Sequence, residues 1–430
     1  MPADTTGIVT ASDYTLKALM IISSDGQGVD IKKLAVEINL YEDIFSPTMS
    51  GDILMGDGLD LISAYGFHGN EWLSIVIDKP GFNNPIDKVF RIYKISKRSP
   101  ATAAGLQNYL IHFCSEELLL SNQRLISKSY KGMTTASIIS DILKSKLGVS
   151  PQKLAKGIFD TTDGVFNIII PKMQPFEAIN WLATRSYSST GTLYLFFENR
   201  DGYNFVSFET LISQQVYATY TYRPKVNSEA ADSFRSITNL NILQDFDMIS
   251  SAQYGAFTSA IMTYDFVNRK INSKIFDGRN FKRLNKGVPV NDSVNRFDQS
   301  TFDSADYLLK FYPVTDSDPL TNPAKPDNWL QQKSTKLAQI HAFKMVITVP
   351  GDVQLKVGQI LEVIIPAATL QTDDTEKVDM RSGNYMISAL HHIFRDDRMT
   401  SVVELLGDSV VDGVFSSDND NPSMKQVKKL

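Results

Sequence analysis

Five histidines are the side chains in this sequence with the best chemistry for binding a metal. They are His68, His112, His341, His391 and His392. None of them has the HExxH or i, i+4 spacing of a helical zinc site. The adjacent pair His391 and His392 would point to opposite faces of a strand, so one metal could not use both without a bulge. The sequence therefore predicts no metal site.

The single thiol and the acidic residues are the remaining candidates for catalysis. Cys114 shares a predicted strand face with His112, but an alternating, half-buried strand explains this pair better than a nucleophile and its base. The acidic loop from Asp52 to Asp60 lacks the ligand pattern of an EF-hand, and turn acids that cap a hairpin account for it. The sequence has no GxSxG elbow, phosphate loop or GxGxxG. We therefore expect no cofactor and no enzymatic activity, although carboxylate pairs for glycoside cleavage depend on tertiary distances and stay open.

Composition limits the class of protein further. The chain has 430 residues, so roughly three domains are expected, and 43% hydrophobic residues are ordinary for a globular protein. The chain has 43 Lys and Arg and 48 Asp and Glu, which gives a net charge of -5. This negative charge disfavours nucleic acid as the main ligand. One cysteine excludes an intramolecular disulfide. The start of the chain has no signal-peptide pattern and no run of about 20 apolar residues occurs, so we expect cytoplasmic assembly without a membrane anchor.

The hydrophobic pattern divides the chain into regions. Residues 1–115 show short strands with turn signals between them, which is typical of a small β-barrel. Residues 116–210 change to helical periodicity, with helices expected around 135–147 and from Pro175, followed by a hairpin turning at 199–202. This middle region is predicted to be an α+β domain.

Strand patterns return after residue 210. Residues 211–245 and 336–410 are predicted to form a second, discontinuous barrel, interrupted by an insertion over 246–335. Four prolines between 311 and 330 indicate an extended loop there. Residues 411–430 are expected to be a flexible tail. The predicted fold class is β-rich α+β, with two tail-tube-like barrels flanking an α+β domain.

Three groups of segments resemble the baseplate central hub protein of contractile-tailed bacteriophages, and are also similar to the hub part of type VI secretion spikes. They are EDIFSPTMSGDIL (42–54) with GDGLDLI (56–62) and GNEW (69–72); PFEAINWLA (175–183) with LFFENRDGYNFVSF (195–208); and VPGDVQLKVGQIL (349–361) with SGNYMIS (382–388), His391 and TSVVELL (400–406). In order and spacing they cover roughly residues 12 to 410.

The resemblance implies a structural protein of the virion tail baseplate. Such a hub forms a homotrimer in which three chains present six barrels to a six-fold tail tube and join it to a three-fold central spike. The implied partners are the spike, the tail tube or its initiator protein, and the tape-measure protein. DNA would pass through the ring only as cargo during genome ejection, and an acidic ring would repel it rather than trap it.

Ten residues are predicted to lie at protein interfaces. They are Pro47, Met49, Asp52, Gly351, Asp352, Lys356, Gly358, Met424, Val427 and Leu430. The last three have the spacing of one side of a helical turn and are accompanied by three lysines, so they could order against a partner, although a solvated terminus without a role is an equal alternative. Two other functions stay open: a β-rich cell-envelope hydrolase, and the hub of another contractile injection system.

Overall fold

The computed structural model describes residues 11–79, 82, 84–100, 106–189, 191–223, 234–247, 249, 258–265, 268–277, 284–285, 308–314, 326–366 and 378–409. Seven strands form its first region: β1 (Thr15–Ile22), β2 (Gly28–Asp30), β3 (Ala35–Asp43), β4 (Ser50–Asp57), β5 (Trp72–Asp78), β6 (Ile86–Pro100) and β7 (Gln107–Cys114). They pair antiparallel in the order β2-β1-β5-β6-β7-β4-β3. Alternate residues such as Leu73, Ile75 and Ile77 are fully buried, as the period of two in the sequence predicts.

The middle region combines helices with two short two-stranded sheets. Its elements are α1 (Glu116–Gln123), β8 (Ile126–Met133), α2 (Thr135–Ser145), α3 (Pro151–Ala155), β9 (Phe166–Met173), α4 (Pro175–Ala183), β10 (Tyr194–Glu198), β11 (Tyr203–Ser207) and α5 (Phe208–Leu211). The Thr134 hydroxyl caps α2, and α4 begins at Pro175 with a capping box. Both predicted helices and the predicted hairpin are therefore confirmed. None of the described helices has the length and apolar character to cross a bilayer.

The remaining elements complete the sheet and add a small layer beside it. They are β12 (Val216–Tyr222), β13 (Ser236–Ile237), β14 (Asn239–Gln244), β15 (Thr258–Asp265), β16 (Lys270–Asp277), β17 (Leu308–Val314), α6 (Pro326–Ile340), β18 (Phe343–Pro350), β19 (Ile360–Ile364), β20 (Gly383–Arg395) and β21 (Arg398–Gly407). Strands β16, β15 and β17 form a separate three-stranded sheet.

The predicted extended loop over 311–330 is wrong at both of its ends. Strand β17 continues to Val314, and α6 begins at Pro326. Proline is compatible with both positions, because a strand that pairs on one side leaves some N–H groups unused and the first turn of a helix does not need that N–H. Residues 315–325 lie outside the described part of the chain.

The strands of the first region and those after residue 210, apart from β15, β16 and β17, belong to one continuous sheet. The 14 strands of this sheet form a path that runs β13-β12-β19-β20-β3 and on through the first region, with β21, β18 and β14 branching from β20. The 13-residue β20 makes the junction, because its first part pairs with β19 while Ala389 to Arg395 pair with β3. No closed barrel is formed by the described strands, so the β-rich class is confirmed and the two-barrel arrangement is not.

Candidate interface site

The predicted interface residues lie mainly where the three regions of the chain meet. Met49, Gly351, Asp352 and Gly358 are buried, whereas Pro47, Asp52 and Lys356 are half-buried. Met424, Val427 and Leu430 lie outside the described residues. The described residues of this set make contacts within one chain, and their role in binding a partner stays a prediction.

Met49 contacts a buried carboxylate from the middle region. Its backbone N–H donates to Oε2 of Glu198 at 3.1 Å, and the Ser115 hydroxyl donates to the same oxygen at 2.5 Å. The other oxygen, Oε1, pairs with Lys153 Nζ at 2.9 Å. Lys153 also pairs with Glu117 at 2.8 Å. Glu198 is 2% exposed, so this one side chain ties the first region to the middle region with all its oxygens satisfied.

A second buried carboxylate, Glu42, joins all three regions. It projects from β3, and its Oε1 accepts the Arg200 N–H at 2.8 Å while Oε2 accepts the Val357 N–H at 3.1 Å. Arg200 lies in the β10–β11 turn, and Val357 precedes β19. Burial raises the pKa of Glu42 to about 7, although the two N–H groups and the positive charges of Lys88 and Arg200 oppose that shift.

Asp352 and Lys356 hold the loop between β18 and β19 in place. Asp352 accepts hydrogen bonds from the hydroxyls of Tyr217 at 2.9 Å and Tyr220 at 3.2 Å. Lys356 Nζ pairs with Asp201 at 2.6 Å. Gly358 has a φ of +85°, a left-handed conformation that favours glycine. These contacts order the loop against β12 and against the middle region.

Gly351 is the partner of a buried lysine from the first region. Lys79 Nζ donates to the carbonyl oxygen of Gly351 and, at 2.5 Å, to that of Ala11. Burial lowers the pKa of Lys79 to about 8, against the attraction of Asp352 and Asp13. A Cβ atom at Gly351 would overlap the side chain of Met399, at 2.1 Å from its Cγ. Glycine therefore permits this close approach.

The adjacent histidines face opposite sides of β20, as the sequence predicts. His391 Nε2 is hydrogen-bonded to Asn39 at 2.8 Å, and the Asn39 amide donates to Asp52 at 3.1 Å. His392 Nδ1 is hydrogen-bonded to Ser401 at 2.8 Å. Within the described residues, no group of three or more His, Cys, Asp or Glu is arranged to hold a metal ion.

Cys114 is unsuited to nucleophilic chemistry. It is 1% exposed, and burial, reinforced by the charges of Glu198 and Glu117, raises the pKa of its thiol to about 12. His112 bonds to Ser96 at 2.7 Å. The geometry thus supports the interpretation of Cys114 as a small apolar residue.

The buried ionic residues Glu42, Glu198 and Lys79 were not among the predicted site residues, but two of them leave a signal in the sequence. Ile38 and Leu40 lie on the buried face of β3, Ile44 directly after the strand is also buried, and a period of two places Glu42 on the same face. Lys79 likewise continues the buried series of β5. A charged residue at a core position of an alternating strand indicates a buried polar contact. Glu198 gives no such signal, because every residue of β10 is buried.

Glu42 should make stability depend on pH. Its folded pKa of about 7 exceeds the usual 4.5, so the native state holds a proton that the unfolded chain releases. The contribution of Glu42 to the free energy of unfolding should therefore fall by about 3 kcal/mol as pH rises from 4.5 to 7. Glu42→Gln should remove this contribution, so its slope in urea titrations at several pH values should differ from that of the unchanged protein, whereas Glu116→Gln, at a half-exposed pair with Arg91, should keep the slope of the unchanged protein. An unchanged slope in Glu42→Gln would contradict the assignment.

Comparison with solved structures identifies the fold. The chain is similar to the tail protein from Neisseria meningitidis MC58, with a TM-score of 0.54 and 14% identity over 92% of this chain and 97% of the other. It is also similar to the 43 kDa tail protein of prophage MuSo2 from Shewanella oneidensis, with a TM-score of 0.52 and 9% identity over 91% and 98%.

The chain thus has the fold of bacteriophage tail proteins, which agrees with the predicted resemblance to a baseplate hub. No family model matches the sequence. A search of curated proteins finds no match either.

Proposed function

We propose that the protein is the baseplate hub of a contractile phage tail. In this proposal three chains form a ring that joins the six-fold tail tube to the three-fold central spike and surrounds the channel for genome ejection. Its partners are the spike, the tube or tube-initiator protein and the tape-measure protein, and it acts in the virion tail after assembly in the host cytoplasm. It has no catalytic role.

The observation that carries the proposal is the fold. The Neisseria tail protein and the prophage MuSo2 tail protein match more than nine-tenths of this chain and nearly the whole of their own length. The extensive sheet and its buried ionic contacts suit a component that must resist mechanical stress, because Glu42 and Glu198 fix the three regions to one another. A net charge of -5 per chain is also compatible with a lumen through which DNA passes without being held.

The direct test is the number of copies in the assembled complex. Light scattering on the full chain, alone and co-expressed with a spike protein of the same phage, should give three hub copies per complex. Association depends on concentration, so the measurement should extend over at least about a hundredfold range. A single copy per complex at every concentration would refute the trimer. Release of soluble fragments from peptidoglycan, abolished by changing one Asp or Glu, would favour the hydrolase instead.

A further inference from the structure

The β8–β9 ribbon carries an exposed surface that is both basic and apolar. Strands β8 and β9 pair only with each other among the described strands, so each has an unpaired edge. Lys128, Lys131 and Lys172 are exposed on the ribbon, where Lys128 pairs with Asp141 of α2 at 2.8 Å, and the two strands themselves contain no Asp or Glu. Ile169 on β9 is 68% exposed, and Leu125 beside β8 is 60% exposed. Such apolar exposure beside open edges is typical of a binding surface.

The charge of this part of the chain is opposite to that of the rest. Residues 124–172 contain eight Lys and Arg and three Asp, a net charge of +5, whereas the whole chain has -5. The remainder of the chain therefore has a net charge of -10. Complementary fields of this kind steer association and select partners. Another copy of the same chain offers the acidic surface that the ribbon lacks.

One segment of the chain, partly exposed at its described residues 242–247 and 249, has the complementary chemistry. Residues 242–249 contain Asp245 and Asp247 and no Lys or Arg. Phe246 is 59% exposed and Ile249 is 73% exposed. Asp245 pairs with Arg381 at 2.6 Å and retains 45% side-chain exposure. We call residues 242–249 the acidic segment and β8–β9 with Leu125 the basic ribbon.

We propose that the basic ribbon of one chain binds the acidic segment of a second copy. The two surfaces differ, so the contact is head-to-tail, and a contact of this type closes into a ring when the rotation permits. This inference rests on the proposed ring and assigns the surfaces that build it. Apolar contact of Ile169 and Leu125 with Phe246 and Ile249 provides the burial, and the lysines and aspartates provide orientation.

Charge reversal and restoration test the contact. A ribbon variant, Lys131→Glu with Lys172→Glu, should weaken self-association more than about tenfold in sedimentation velocity, because like charges then face each other. Adding Asp247→Lys to that variant should restore association. Lys33→Glu with Lys94→Glu changes the charge equally at exposed lysines of the first region and should leave association unchanged. Equal melting temperatures would establish that all variants fold.

The outcomes separate this inference from the proposed function. If the ribbon variant assembles like the unchanged protein, the proposed contact is wrong while the proposed ring still stands. The lysines would then serve to protect the open strand edges from unwanted pairing. If the ribbon variant loses self-association and Asp247→Lys does not restore it, the acidic segment is not what the basic ribbon binds. Loss of spike binding with normal self-association would assign the ribbon to the spike instead. Failure of the unchanged protein to associate, even with the spike, would count against the proposed function itself.

Discussion

Glu198→Ala is expected to lower the free energy of unfolding by about 4 kcal/mol, because removing one partner of a buried ion pair leaves the other charge uncompensated. The change would leave Lys153 with Glu117 alone and deprive Met49 N–H and the Ser115 hydroxyl of their acceptor. Urea unfolding followed by tryptophan fluorescence measures the loss.

The control for Glu198 is Glu116→Ala, which removes a partly exposed partner of Arg91 at 3.3 Å. Pairs of this kind contribute at most about 1 kcal/mol. If both variants lost the same small amount, the role of Glu198 in joining the first and middle regions would be wrong.

Replacing His392 should remove a large part of the acid sensitivity of the protein. Burial lowers the pKa of His392 to about 3 from the usual 6.5, so below pH 6.5 the unfolded chain takes up a proton that the native state refuses. The contribution of His392 to the free energy of unfolding should therefore fall as pH decreases from 6.5 to 3, by about 4 kcal/mol in all. His392→Gln should remove this contribution, since glutamine can still bond to Ser401 and does not titrate.

The control for His392 is the exposed His68, whose replacement by Gln should leave the acid limb unchanged. Urea midpoints measured from pH 3 to 8 on both variants provide the comparison. An acid limb of equal slope in the unchanged protein and in His392→Gln would show that other groups are responsible.

Glu42 and His392 have opposite effects on stability over part of the pH range. Between pH 4.5 and 6.5 a rise in pH costs stability through Glu42 and restores it through His392. In this range the free energy of unfolding of the unchanged protein should change little with pH. Glu42→Gln should then show the slope due to His392, and His392→Gln should show the slope due to Glu42. A pH profile of the single variants is therefore more informative than that of the parent.

Sequence periodicity predicted the local elements well where side-chain burial alternates regularly. Ile138, Ile139, Ile142 and Leu143 are all buried on α2, as helical spacing requires. Strands such as β5 were equally clear. The same signal could not show which strands are neighbours, because pairing between distant segments depends on tertiary contacts. The single sheet that joins the two predicted barrel regions is the result of one such pairing, that of β20 with β3.

The contacts of the predicted interface residues could not be predicted from the sequence, for a physical reason. Met49 and Asp352 are predicted to lie at a protein interface because they belong to segments that resemble a known family. The structure shows both of them in contacts within the chain. Glu42 and Lys79 could have been found from their register on buried strand faces. Glu198 could not, because a strand buried on both faces carries no alternation. The basic ribbon depends on exposure, which the sequence alone does not give.

The long strand β20 couples the two halves of the large sheet. Its residues around His391 take hydrogen bonds from β3 on one side and from β21 on the other. Melting either half would strip β20 of partners that the other half needs, so the two halves should unfold in one cooperative step rather than as independent domains. A pulling force on one half should reach the other through the hydrogen bonds between β20 and β3.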